Sequence, residues 1–210
     1  MAHANTRVPD STAVQVHGFT RGAFILRSAL AVGAVSGIGA VGPFVGRAVA
    51  QDSESDGDAE ILNFALSLEY LEADFYRQAL ELDLSAESAA LARRLGAHER
   101  DHIAALIDVI DTVGGTPTKE PTFSFPINDE ASFLELAQTL EETGVSAYNG
   151  AALGIESPEV LAAAGQIVQI EARHAADIAA ARAQPPAPKA FDESLEMAPV
   201  LEAVQPFIKS

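Results

Sequence analysis

The chain contains no cysteine and no tryptophan, and its 210 residues carry little positive charge. Without cysteine it can form no disulfide, no thiolate metal site and no cysteine nucleophile. Thirty acidic side chains against thirteen lysines and arginines give a net charge of −17. We therefore expect no nucleic-acid partner, because binding nucleic acid depends on lysine and arginine to neutralise phosphates. Apolar residues make up 48% of the chain, which is enough for a buried core.

The few basic residues are unevenly distributed, and residues 1–50 differ from the rest. They hold four arginines and one acid, so the acidic side chains are concentrated beyond them. Residues 18–50 lead from arginines into small and apolar residues and end in Ala-Val-Ala before Gln51. This layout predicts an export signal that is either cleaved near Gln51 or kept as a membrane anchor. The stretch is similar to a twin-arginine signal in which Gly22 replaces the second arginine.

These features predict an exported protein, located in the periplasm, in the cell envelope or outside the cell. Any association with a membrane is expected only through residues 18–50. Nothing in the sequence indicates an oligomeric state.

Apolar residues recur at helical spacing over four stretches of the remaining chain. They are residues 58–81, 86–112, 130–153 and 157–183. Recurrence every three or four residues indicates helices with one apolar face. Ser157-Pro158 is a typical helix start, with a capping side chain followed by proline at the first helical position.

The links between these stretches predict how the helices are connected. Short links join the first helix to the second and the third to the fourth, so each pair is expected to be antiparallel. The link of residues 113–129 is long enough to run the length of a ~30 Å bundle. The sequence therefore predicts an all-α four-helix bundle over residues 51–184, with one long crossover between helices two and three. Residues 185–210 are expected to form a proline-rich link and an apolar arm that packs on the bundle.

A repeat with an offset of 72 residues places the same polar side chains in both halves of the bundle. The matched pairs are Glu69 and Glu141, Tyr76 and Tyr148, Glu99 and Glu171, and His102 and His174. Residues three or seven apart share a helix face, since about 3.6 residues make one turn. All eight side chains are therefore expected to point inward. Glutamates from two helices and Glu-x-x-His from the other two form the ligand set of a two-metal site in a bundle core. The alternative is a metal-free bundle whose glutamates face solvent.

Residues 98–102 also fit the zinc-protease pattern H-E-x-x-H. In that interpretation His98 and His102 hold zinc and Glu99 is the general base. The further ligands of the protease subclasses are not at suitable positions, and His98 has no counterpart in the repeat because residue 170 is isoleucine. The two-metal interpretation is therefore favoured, and His98 is expected beside the site or partly exposed.

Four stretches and the tail carry a resemblance to a known family. They read "LNFALSLEYLEADFY", "AHERDH", "EETGVSAY", "IEARH" and "FDESLEMAPVLEAVQPFI". They resemble the ferritin-like superfamily, and in particular exported ferritin-like domain proteins of the desiccation-associated type, over about residues 51–208. The resemblance implies a centre of two iron or two manganese ions with six ligands. These are Glu69, Glu99, His102, Glu141, Glu171 and His174, of which Glu99 and Glu171 are the bridging carboxylates.

For function, the resemblance implies oxidation of Fe(II) by oxygen or hydrogen peroxide. Tyr76 and Tyr148 match tyrosines near such centres in bacterioferritins and rubrerythrins, and are the residues expected to act in the chemistry. Two alternatives stay open: a manganese, catalase-like disproportionation of peroxide, and a stress- or desiccation-protective bundle in which the metal only stabilises the fold. The ligand types do not separate iron from manganese.

Four further acidic residues lie close to the predicted ligands. Glu72 follows Glu69 by three positions and could face the centre. The other three, Glu142, Asp101 and Asp177, are expected to face solvent. The alternative for Asp101 and Asp177 is contact with the ligand histidines.

Overall fold

The computed structural model describes residues 57–209, and these form five α-helices and no β-strand. The helices are α1 (Gly57–Ala79), α2 (Ala86–Thr112), α3 (Glu130–Ala151), α4 (Pro158–Ala181) and α5 (Met197–Val204), and a 3-10 turn, Gln205–Phe207, follows α5. The first four are the predicted helices, with ends that differ from the prediction by two residues at most. The predicted all-α class is confirmed. The predicted export signal lies outside the described residues.

The starts of α2, α3 and α4 are fixed by side chains that accept backbone hydrogen bonds. Ser85, Asp129 and Ser157 each accept the N–H of the third residue beyond them, at 3.2, 2.8 and 3.3 Å. Each cap satisfies an N–H that has no partner within its own helix. Pro158 occupies the first turn of α4, as the sequence predicted.

The long helices pack as two antiparallel pairs, α1 with α2 and α3 with α4. In the first pair, Gly96 of α2 lies beside Tyr76, whereas Gly115, just past α2, lies beside Ala59 at the other end of α1. Among the helices between residues 57 and 209, none is both long and apolar enough to cross a membrane.

The crossover between α2 and α3 follows α1 from its beginning to its end. The backbone N–H of Thr118 donates to Asn63 Oδ1 at 2.6 Å, near the start of α1. Gln78 Nε2, near the end of α1, donates to the carbonyl of Phe123 at 3.2 Å. The predicted long crossover is therefore confirmed. It lets α3 begin at the end of the bundle opposite to that where α2 finishes.

The C-terminal segment packs on α3 and then reaches the crossover. The Leu195 N–H donates to the Ser146 carbonyl at 2.9 Å, and the Ser124 N–H donates to the Phe207 carbonyl at 2.9 Å. A side chain at Gly150 would meet the Leu195 carbonyl oxygen, only 1.8 Å from an ideal Cβ. Glycine at this position therefore permits the arm to cross α3.

Two apolar clusters fill the interior, one toward each end of the bundle. The first contains packed phenylalanines, with ring centroids 5.1 Å apart for Phe75 and Phe125 and 5.7 Å apart for Phe75 and Phe133. The second is mainly aliphatic and includes Leu66 and Ile110. In α2 and α4 the buried side chains between the two clusters are charged or polar, namely Glu99, His102, Glu171 and His174. The bundle thus has a polar layer in the middle of its core.

Candidate metal centre

Six buried ionisable side chains converge in this polar layer, and all four long helices contribute. Glu69 comes from α1, Glu99 and His102 from α2, Glu141 from α3, and Glu171 and His174 from α4. The four glutamates are each 0% exposed. Buried carboxylates are stable only when cations, protons or hydrogen bonds compensate them.

The six side chains form two overlapping groups of four. One group is Glu69, Glu99, His102 and Glu171, and the other is Glu99, Glu141, Glu171 and His174. Within each group, one potential ligand atom from every residue lies within 4.8 Å of the others. Glu99 and Glu171 belong to both groups, which is the arrangement expected of bridging carboxylates. The cluster can therefore hold metal ions.

Each histidine directs Nδ1 toward three carboxylates. His102 Nδ1 lies 3.0 Å from Glu99 Oε2, 3.0 Å from Glu171 Oε1 and 3.2 Å from Glu69 Oε2. His174 Nδ1 lies 3.0 Å from Glu99 Oε1, 3.3 Å from Glu141 Oε2 and 3.8 Å from Glu171 Oε2. A single ring nitrogen can donate one proton only, so it cannot satisfy three carboxylates.

Unsatisfied atoms show how well the cluster fits metal ions. Among buried side-chain atoms of residues 57–209, six have no partner in hydrogen-bond geometry, although several of them face one another at ion-pair distance. Five of the six belong to this cluster. The five are Glu99 Oε1, Glu141 Oε2, Glu171 Oε1, Glu171 Oε2 and His174 Nδ1. Each orphaned buried polar atom costs about 1–3 kcal/mol. Carboxylate oxygens and imidazole nitrogens are good ligands of divalent iron and manganese, so the donor set fits such ions.

The histidines and glutamates of the cluster strongly affect one another's charge. Burial alone would lower the pKa of His102, but its contacts with Glu171, Glu69 and Glu99 outweigh burial and raise that pKa to about 12. His174 behaves in the same way, and its pKa is also raised to about 12. Burial would raise the pKa of Glu171, but the two histidines lower it to about 2. In the metal-free protein the histidines therefore hold protons that a bound metal would displace.

Glu69 and Glu141 each belong to one group only, and their pKa values are raised, in contrast to that of Glu171. Burial, together with the charge of Glu171, raises the pKa of Glu69 to about 8. Burial and Glu171 likewise raise the pKa of Glu141 well above its ordinary value. Without a metal, this carboxylate-rich centre thus retains protons that exposed glutamates would lose.

Glu72 is a further buried carboxylate beside the cluster. Burial and the charges of Glu171 and Glu141 raise its pKa well above the ordinary value. It has no hydrogen-bond or ion-pair partner in the described part of the chain. Its Oε1 lies only 3.1 Å from where a Cβ on Gly144 would stand. Gly144 matches Glu72 in the 72-residue repeat, so the second half leaves the space that Glu72 uses.

The two tyrosines bond to the opposite half of the bundle. Tyr76 O–H donates to Glu141 Oε1, and Tyr148 O–H donates to Glu69 Oε1 at 2.6 Å. Burial and these carboxylates raise the pKa of both phenols well above the ordinary value, so both remain protonated donors. The repeat predicted that the tyrosines lie near the centre. It gave no signal for the crossed pairing, which follows from the antiparallel packing of α1 and α3.

His98 lies outside both metal-binding groups. Its Nδ1 is 2.9 Å from Nε2 of His174. The groups found among residues 57–209 therefore do not include the H-E-x-x-H zinc site, and His98 is half-buried beside the centre as expected. The remaining acidic residues, Glu142, Asp101 and Asp177, are exposed, which also agrees with the prediction.

Comparison with known proteins identifies a matching family model, described as a ferritin-like domain, over residues 57–184. A conserved hypothetical protein from Mycobacterium tuberculosis has a similar structure, with a TM-score of 0.57, 19% identity, and coverage of 66% of this chain and 99% of that one. A two-domain protein from Anabaena variabilis, with DJ-1/ThiJ/PfpI-like and ferritin-like domains, has a TM-score of 0.54 and 20% identity. That match covers 66% of this chain and 42% of the other. No curated protein matches the chain. At these identities the structures show a shared fold.

Proposed function

This chain belongs to the ferritin-like domain family, and from that premise we propose that it binds two iron ions and oxidises Fe(II) with oxygen or hydrogen peroxide. The observation that carries the proposal is the pair of overlapping four-residue groups that share Glu99 and Glu171. Two ions held by shared carboxylates can deliver two electrons together, which is the number that reduces hydrogen peroxide and two protons to two waters.

The protein residues favour this reaction through charge. Four buried glutamates surround the two proposed ions. Their negative charge offsets the positive charge of the metal, and it offsets the higher charge of Fe(III) more strongly than that of Fe(II). The ligand shell therefore favours the oxidised product. Burial excludes competing water and strengthens these interactions.

The tyrosines hold the two unshared glutamates in place. Tyr148 fixes one oxygen of Glu69 and Tyr76 fixes one oxygen of Glu141, so the remaining oxygen of each is directed to the metal position. Tyr148 also lines a small apolar crevice with Leu62, Ala65 and Ala164. We propose that both phenols position ligands and that they are near enough to donate a hydrogen atom or an electron.

Anaerobic loading with Fe(II), followed by stopped-flow mixing with oxygen or with peroxide, tests the proposal. We expect the loaded protein to oxidise Fe(II) faster than the same concentration of free ion. Two adjacent glutamates provide a matched pair of variants. Glu141→Ala removes a buried member of the cluster and should slow the reaction, whereas Glu142→Ala changes an exposed neighbour and should not.

The same experiment separates the alternatives. If iron-loaded protein reacts no faster than Glu141→Ala, while manganese-loaded protein releases oxygen from peroxide, the catalase-like function replaces this one. If neither form reacts but either metal raises the melting temperature, the metal has a structural role.

We further propose that residues 1–50 direct export and are removed before Gln51. The supporting observations are the arginine-containing start, the apolar run and the Ala-Val-Ala sequence before Gln51. N-terminal sequencing of protein recovered from outside the cytoplasm tests this proposal. A mature chain that begins near Gln51 supports cleavage, and an intact start at Met1 or Ala2 shows that the segment is retained.

A further inference from the structure

His98 is the one member of the H-E-x-x-H sequence that the two-metal centre does not use. It is half-buried on α2, and its Nδ1 lies 2.9 Å from Nε2 of His174 on α4. The ring centroids are 5.2 Å apart, and the ring planes differ by 18°. The distance between the ring centroids is close to the sum of the N···N distance and the radii of the two rings. The two nitrogens therefore lie on the line between the rings, where an N–H can point directly at a lone pair.

The orientation of the His174 ring places its two nitrogens against different partners. Nδ1 of His174 faces the carboxylates of the centre and Nε2 faces His98. A metal-binding Nδ1 must be free of its proton, so a neutral His174 keeps its proton on Nε2. That N–H then donates to His98 Nδ1. Partners of this kind hold a ligand histidine in one tautomer and one ring orientation.

The other ligand histidine has no such partner. Nε2 of His102 forms no hydrogen bond with any residue that the structure describes. The repeat places Ile170 where a second copy of His98 would stand, and Ile170 is also half-buried. The two metal positions thus have the same types of ligand, but only the histidine at one of them, His174, has a neighbouring side chain that holds its ring.

We propose that His98 is a positioning residue that fixes His174 and makes the metal position at His174 bind more tightly than the position at His102. The inference rests on the proposed two-metal function. It adds that the ions bind in order, first beside His174 and then beside His102. Loss of a partner that orients a ligand histidine weakens metal binding by about 10–100-fold. The expected difference between the two positions is of this size.

Anaerobic titration with Mn(II), in which electron paramagnetic resonance counts the free ion, measures the two binding steps without a redox reaction. We expect two separate steps for the wild-type protein. His98→Leu should weaken the tighter step by about 10-fold or more and leave the weaker step unchanged. His98→Asn should restore the tighter step, because the asparagine Oδ1 can accept the same hydrogen bond near the position of Nδ1. Ile170→His should tighten the weaker step.

The outcomes distinguish this inference from the proposed function. Wild-type protein that binds no Mn(II) contradicts the metal site itself. Two ions that bind with equal affinity, or a His98→Leu variant with both steps unchanged, overturn the role of His98 alone. Equal weakening of both steps in His98→Leu, without restoration by His98→Asn, indicates general damage to the fold and also overturns it. Thermal unfolding of each metal-free variant shows whether it is folded.

Discussion

The two halves of the bundle, α1–α2 and α3–α4, carry the same ligands in different surroundings. The repeat conserves all eight inward-facing residues between the halves. It does not conserve three residues around them: Glu72, Gly96 and His98 in the first half correspond to Gly144, Val168 and Ile170 in the second. The set of potential ligands is therefore duplicated, whereas the residues that surround it are not.

The halves also depend on each other. Tyr76 and Tyr148 each donate a hydrogen bond to a glutamate of the opposite half, and His98 contacts His174 across the bundle. Glu72 occupies space beside Gly144. Neither helix pair contains a complete site, so folding of the two halves and formation of the centre are coupled.

The largest expected effect concerns the two shared glutamates, for which the halves should be equivalent. Glu99→Ala or Glu171→Ala removes a residue that belongs to both groups, so the metal content should fall from about two ions toward zero. Glu69→Ala or Glu141→Ala removes a residue of one group and should leave about one ion. Metal analysis after anaerobic loading and dialysis measures this difference. Glu99→Ala protein that retains two ions would contradict shared ligation.

The second prediction concerns pH, and it compares the metal-free centre with the loaded one. The pKa of Glu69 is raised from 4.5 to about 8, and those of His102 and His174 are raised from 6.5 to about 12. A group whose pKa is higher in the folded state stabilises the fold below its unfolded pKa, and this stability is lost as pH rises through the folded value. The free energy of unfolding of the metal-free protein should therefore fall as pH rises above 4.5 and fall further above 6.5.

The lowered pKa of Glu171 acts in the opposite direction, but only in acid, between 4.5 and about 2. Bound metal replaces the protons of the centre, so the affinity for metal should rise with pH. The loaded protein should therefore not lose stability above pH 4.5, where the metal-free protein does. Thermal unfolding of both forms across this range measures the two slopes. Parallel slopes would show that the protons of the cluster do not compete with metal.

Sequence patterns predicted the features that recur periodically along the chain. They did not predict the contacts that depend on how helices far apart in the sequence face each other. Helical spacing and the repeat were enough to place four helices, one long crossover and eight inward residues, because each is a local pattern or a copy of one. The pairs Tyr76–Glu141, Tyr148–Glu69 and His98–His174 join residues separated by 65, 79 and 76 positions. Their pairing depends on the direction and rotation of helices that are not joined by short links. No local pattern records that geometry.

The third prediction tests how closely α1 and α2 approach each other at Tyr76. A Cβ on Gly96 would lie 2.8 Å from Tyr76 Cβ, an atom fixed to the α1 backbone, so the helices must move apart. Gly96→Ala should destabilise the metal-free protein by about 1–3 kcal/mol, as overpacking does. Gly165→Ala in α4 is the control, because no other group lies within 4 Å of the added methyl. That control should stabilise the protein by about 0.5–1 kcal/mol through helix propensity.

Denaturant unfolding of both glycine variants supplies the comparison. If Gly96→Ala is as stable as Gly165→Ala, the close approach of α1 and α2 at Tyr76 does not limit the fold. Displacement of Tyr76 should also disturb its bond to Glu141, so Gly96→Ala is expected to weaken metal binding in the group that contains Glu141.

The smallest effect is expected where Glu72 meets Gly144. A methyl group on Gly144 would lie 3.1 Å from Glu72 Oε1, which is tight but not prohibitive, since a carboxylate can shift by a few tenths of an ångström. Gly144→Ala alone should therefore change stability by less than about 1 kcal/mol, because crowding opposes the gain in helix propensity. In the Glu72→Ala background the crowding is gone, and the same change should stabilise α3 by about 1 kcal/mol. A double-mutant cycle on the metal-free protein measures the difference, and contacting residues commonly couple by about 0.5–3 kcal/mol. Additive effects would show that Glu72 does not require the space beside Gly144. Packing against Glu72 would then not explain why the second half has glycine at this position.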